Sequence, residues 1–75
     1  MPQEAVDPRA RVAECDRALA LATDPLERSA LVLLRELWLA LISQLPAFSE
    51  GRAAEEIAAI EKIHNITLGL RTARH

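Results

Sequence analysis

The 75-residue chain has one cysteine, two glycines, one tryptophan, one phenylalanine and no tyrosine. Cys15 alone cannot close an intrachain disulfide, and without a cysteine pair at metal-ligand spacing a disulfide or zinc-finger scaffold is excluded. Gly51 and Gly69 stand apart, so there is no glycine-rich loop to cradle a phosphate. Arg35 and Glu36 interrupt the longest apolar run, residues 30–42, which falls short of the roughly 18 uncharged residues a bilayer span needs; no membrane segment is expected. The first nine residues lack a basic leader followed by an apolar block, so they do not read as a secretory signal, and a cytoplasmic setting is expected. Positive charge is not in surplus either. Nine Lys and Arg against eleven Asp and Glu give a net charge of −2, whereas polyanion binding needs a concentrated basic surface, so nucleic acid is not expected as the main partner.

What the chain does have is helix-forming residues. Ala (14) and Leu (12) supply 26 of the 75 positions, and β-branched types are scarce until the last third. Pro2, Pro8, Pro25 and Pro46 all sit where a helix would begin or end. Asp7-Pro8 and Asp24-Pro25 repeat one start signal: the carboxylate accepts from free first-turn amides, and proline suits the first helical position because its missing N–H had no partner there. Glu27 follows Asp24 at capping-box spacing, and Ser49 can cap a helix that starts at Glu50. The spacing predicts helices near 8–22, 25–45 and 50–66, with the end of the third left open over 67–75 because Asn65, Thr67 and Gly69 weaken helicity. Short connections make an all-α single domain, a three-helix bundle or a helical hairpin with an extra helix.

On a helical wheel, Arg28, Ser29, Arg35, Glu36 and Ser43 occupy about 120° of the second helix, leaving roughly 240° apolar, where a surface helix needs a stripe of about 100°. The first helix offers a narrow seam, Val12, Cys15, Leu19 and Ala22, and the third offers Ala53, Ile57, Ile60 and His64. A chain this short seldom draws more than ~3–5 kcal/mol of stability from its own core. Leaving three or four Leu-sized side chains in water forgoes on the order of 1.5–3 kcal/mol each. The expectation is therefore a homo-oligomer, most simply a twofold dimer, with Val32, Trp38, Leu39 and Ile42 at the interface. Trp38 reads first as core and next as an interfacial anchor, since its indole N–H needs an acceptor. A compact monomer with Val32 and Leu39 exposed is the competing arrangement.

Chemistry-bearing residues are few. Glu61 and His64 form Glu-x-x-His, the i,i+3 spacing used in di-iron four-helix proteins, and Glu36 lies at a similar height across the turn, so a dimer could supply a carboxylate-bridged site. Against it, Glu36 maps to the polar arc, and a lone histidine on an apolar face is more often a hydrogen-bonded core residue; the expectation is no metal and no cofactor. Cys15 sits in a seam with no basic cluster beside it and reads as a small hydrophobe. Ser29, Ser43 and Ser49 have no His or Asp at triad spacing. Arg71, Arg74 and His75 read as a solvated tail.

Ala13-Glu14-Cys15, Ala22-Thr23-Asp24-Pro25, Arg28, Leu31, Leu34, Trp38-Leu39, Leu41 and Gln44 resemble a pattern in small uncharacterised alphaproteobacterial proteins. In those proteins a short helix leads through an ATDP turn into a Leu-rich helix carrying Trp. The resemblance implies a helical hairpin in a bacterial cytoplasm and no assigned activity. Leu33 and Ala40 depart from it, standing where polar residues are commoner. The functional expectation is a non-enzymatic, self-associating module that binds itself or another helical protein. The alternatives are a metal-binding, di-iron-like bundle at a dimer interface, and a nucleic-acid accessory protein using Arg9, Arg11, Arg17 and the C-terminal arginines.

Overall fold

A computed structural model describes residues 6–73, with side chains described over 6–69. Three helices, α1 (Pro8–Leu21), α2 (Pro25–Gln44) and α3 (Glu50–Ala73), are joined by short links, with a 3₁₀ turn at Leu45–Ala47. No strand occurs among the described residues. The starts are capped by the residues the sequence nominated. Asp7 accepts from the Arg9 amide at 3.1 Å, Asp24 from the Glu27 amide at 2.9 Å and Ser49 Oγ from the Arg52 amide at 3.2 Å. The turn into α3 is further braced by the Arg52 guanidinium over the Phe48 ring.

The third helix does not stop in the mid-60s but runs on to Ala73. The weak formers Asn65, Thr67 and Gly69 are overridden because Leu68 packs on Ala18, Ala22 and Leu31, so tertiary burial decides the end of α3 rather than local propensity. The basic tail of Arg71, Arg74 and His75 lies outside the described side chains.

The core runs down the α2 face that carries Leu31, Leu34, Trp38 and Leu41. Cys15 joins Leu34, Trp38 and Leu41 at one level, flanked by Val12, Ile57 and Ile60; Ala18, Ala22 and Leu31 form the next level. Small residues on α1 let it approach α2 closely. Two arginines of α2 fasten this contact. Arg28 donates to the Leu19 and Ala22 carbonyls at 2.7 and 3.0 Å, satisfying the C-terminal end of α1, and Arg35 pairs with Asp16 at 2.6 Å. The domain is flat, 38 × 29 × 16 Å between Cα atoms.

Candidate functional site

Along α2 and α3, antiparallel neighbours, α1 lies in the groove, and it runs parallel to α3 at a constant offset of 50 residues. The i,i+3 pair Arg11 and Glu14 on α1 thereby faces the i,i+3 pair Glu61 and His64 on α3. Arg11 clamps Glu61 through two parallel bonds, Nε to Oε1 and Nη2 to Oε2, each 2.8 Å. Its remaining edge bonds Glu14. Glu14 Oε1 in turn lies 3.3 Å from His64 Nε2, and His64 Nδ1 lies 3.1 Å from Trp38 Nε1. One chain of polar contacts thus runs from the indole of α2 through α3 and α1 and back to α3.

The protonation pattern follows from the ends of this chain. An indole nitrogen only donates, so Nδ1 of His64 is the acceptor and its hydrogen sits on Nε2, directed at Glu14. Burial pushes the Glu14 carboxyl up, but hydrogen bonds from Arg11 and His64 outweigh it and hold the group below its ordinary value of 4.5. The Arg11 guanidinium is held firmly charged by its bond to Glu61, against partial burial and with help from Glu14.

A histidine oriented by a carboxylate is half of a nucleophilic triad, but this pair has no nucleophile and no substrate access. Its third member is an indole N–H, His64 is 1% exposed, and both ring nitrogens are occupied. Cys15 is fully buried, and its thiol is pushed up by that burial and by the Asp16 and Glu14 carboxylates, the opposite of an activated thiolate. The network satisfies buried groups and fixes the mutual register of three helices. Among the described residues no buried side-chain nitrogen or oxygen lacks a partner.

The trio Glu36, Glu61 and His64 is not assembled within the chain. Glu36 is exposed on the outer flank of α2, Glu61 spends both oxygens on Arg11, and His64 has no free lone pair. Among the described residues no three His, Cys, Asp or Glu side chains are grouped to hold a metal ion. Arg11 is likewise committed to carboxylates and unavailable for a basic patch.

Of the residues nominated for an interface, Trp38 is completely buried inside its own chain, so its indole is closed to a partner. Leu39 and Ile42 are half-buried, Ile42 beside Asp7, Pro8 and Leu45 at the junction of α1 and α2. Val32 is exposed. The most exposed leucines of α2 lie elsewhere: Leu26 (80%), Leu33 (67%) and Leu37 (41%). With exposed Ala30 and Ala40 they form the series 26, 30, 33, 37, 40, the 4-3-4-3 spacing of a coiled-coil seam. The spacing was legible in the sequence as part of a broad apolar arc; which part α1 and α3 cover was not.

One segment bears on the expectation that no part of the chain spans a bilayer, by length and composition only, and the core helix of a globular protein passes the same test. Residues Pro25–Ala47 contain an 18-residue stretch of mean hydropathy 1.4 and are long and apolar enough by length and composition. Two central charges do not offset the surrounding Leu, Val and Ile, and one of them, Arg35, is paired with Asp16.

In comparisons with protein-family models, curated proteins and solved structures, nothing matches the chain.

Proposed function

We propose that this chain is a non-enzymatic helical module that acts by binding protein through the exposed seam of α2, including another copy of itself. The observation that carries this reading is the seam itself: leucines 26, 33 and 37, at 80%, 67% and 41% exposure, on one side of a helix whose other side is locked into the core. Each such side chain left in water forgoes on the order of 1.5–3 kcal/mol, a large fraction of the stability available to so small a domain. The sealed histidine supports the same reading, because the polar groups that could have served catalysis are used to hold α2 rigid. Rigid helical faces with i, i+3, i+4 and i+7 anchors are a recurrent protein-binding device.

The test is light scattering on the untagged chain across micromolar concentrations, with Leu33→Glu as the comparison. Association of the native chain, abolished in a variant that keeps native helical content by circular dichroism, is the expected result. A native chain that stays monomeric and retains no helical partner on this face would refute the reading.

A further inference from the structure

Among the described side chains of α3, over residues 50–69, His64 alone is buried; Ile57, Ile60 and Leu68 are only partly covered. The first two helices are fastened to each other without α3, by the packing of Cys15 and Ala18 on α2, by the bonds from Arg28 to the end of α1 and by the Arg35–Asp16 pair. The grip of α3 on α2 is therefore centred on one titratable side chain.

The Trp38 and His64 rings meet at 72° with centroids 5.8 Å apart, and Trp38 Nε1 donates to His64 Nδ1 at 3.1 Å. An indole nitrogen never accepts, and in an imidazolium both nitrogens carry hydrogen, so whichever of them faces the indole, donor meets donor. A proton on the ring and the bond from Trp38 exclude each other. At the opposite end, Glu14 Oε1 lies 3.3 Å from Nε2. The charged groups around the ring are Glu14 and Arg11 of α1 and Glu61 of its own helix, one turn back. Two carboxylates against one guanidinium leave net negative charge beside the ring, so a cation formed there is held on the α1 side. Cys15 of α1 adds no charge, since burial keeps its thiol protonated. From α2 the ring meets the Trp38 indole; the neighbouring charges on that helix are turned away, Arg35 to Asp16 and Glu36 to solvent.

We propose that His64 is a proton-operated latch between α2 and α3: uptake of a proton by its ring breaks the bond from Trp38 and loosens α3 from α2, while Glu14 keeps the cation on α1. The latched form binds one proton fewer, so acid favours release. The latch does not depend on self-association.

The experiment uses the full chain at fixed concentration, scanned from about pH 8 to about pH 5, the range in which histidine changes charge. Glu14, held below its ordinary 4.5, stays charged across this range. Trp38 is the chain's one tryptophan, so its emission reports the latch directly. Emission of the native chain is expected to shift to the red as pH falls, the ratio of unlatched to latched chains rising by up to about tenfold per pH unit for the one proton involved. Helical content by circular dichroism should stay constant, because α1 and α2 keep their own contacts and Arg11 still holds Glu61. In His64→Gln the side-chain carbonyl can accept from Trp38 and the amide can donate to Glu14, but no proton is taken up, and emission should stay flat. A second measurement on the native chain, nitrogen NMR of the imidazole and indole, keeps the test independent of whether the variant folds: protonation of His64 and loss of the protected indole N–H are expected at one midpoint. Flat emission in the native chain, an equal red shift in His64→Gln, loss of helix at the same midpoint, or a protonated ring beside a protected indole N–H would each overturn the proposal.

Discussion

Replacing Trp38 by Phe tests whether the buried polar chain holds the three helices together. The substitution removes one N–H, the donor to His64 Nδ1, from a site where Trp38 is fully buried and His64 is 1% exposed. The loss has two parts. His64 is left with an acceptor that water cannot reach, costing about 1–3 kcal/mol, and the smaller ring leaves part of the Leu34, Leu41 and Cys15 shell without contacts, costing about 1 kcal/mol more. A total of about 2–4 kcal/mol approaches the whole stability of a domain this size. Since 1 kcal/mol moves the midpoint of a 60–100-residue domain by about 4–8 °C, melting should fall by at least ~8 °C. Circular dichroism at 222 nm is the appropriate readout because the variant has lost the chain's one tryptophan, and protein concentration must be held fixed because the proposed self-association would also stabilise the fold. Pairing Trp38→Phe with His64→Leu removes the orphaned acceptor and should recover stability relative to Trp38→Phe alone. A single variant that melts within about 2 °C of the parent would refute the argument that this bond is needed.

Four further outcomes are expected. Arg11→Met strands the Glu14 and Glu61 carboxylates at a part-buried site and should cost about 1.5–3 kcal/mol by urea titration, with much of the cost recovered in Arg11→Met/Glu61→Leu. Because the folded state lowers the Glu14 carboxyl, its contribution is complete above the unfolded value of about 4.5 and is lost as pH falls through the folded value; thermal melts of Glu14→Gln should show a shallower acid limb than the parent. Cys15 has the opposite sign: its raised thiol contributes fully below about pH 9.0 and progressively less as pH rises from there, and a disulfide reagent should label it at the rate of global unfolding. Gly69 sits within α3 and a Cβ there would meet nothing within 4 Å, so Gly69→Ala should raise stability by up to about 1 kcal/mol, measured as a higher urea midpoint.

Local chemistry settled what can be settled locally. Proline with a preceding Asp marks the first two helix starts, Ser49 marks the third, and in each case the side chain named in advance makes the cap bond, because an N-terminal turn has free amides that only nearby residues can satisfy. Cys15 and Trp38 were likewise read as core, whereas Leu31, Leu34 and Leu41 were not told apart from the rest of the broad apolar arc of α2. Periodicity measures which side of a helix is apolar; it does not say how much of that side a neighbour will cover.

Coverage and partnership were decided only in three dimensions. Glu61 and His64 read as a ligand pair because their spacing puts them on one side of a helix, yet α1 brings Arg11 onto both Glu61 oxygens and Glu14 onto the His64 Nε2 hydrogen from 50 residues away, while Trp38 of α2 occupies the Nδ1 lone pair. The same placement buries Trp38 completely and leaves Leu33 and Leu37 outside, a division that the broad apolar arc did not mark. It also carries α3 through Gly69, since Leu68 gains a buried site that offsets weak propensity. The physical reason is common to all three: helix formation and capping are short-range and written within a few residues, whereas desolvation and ion pairing depend on which surfaces meet, a property of the packed helices together.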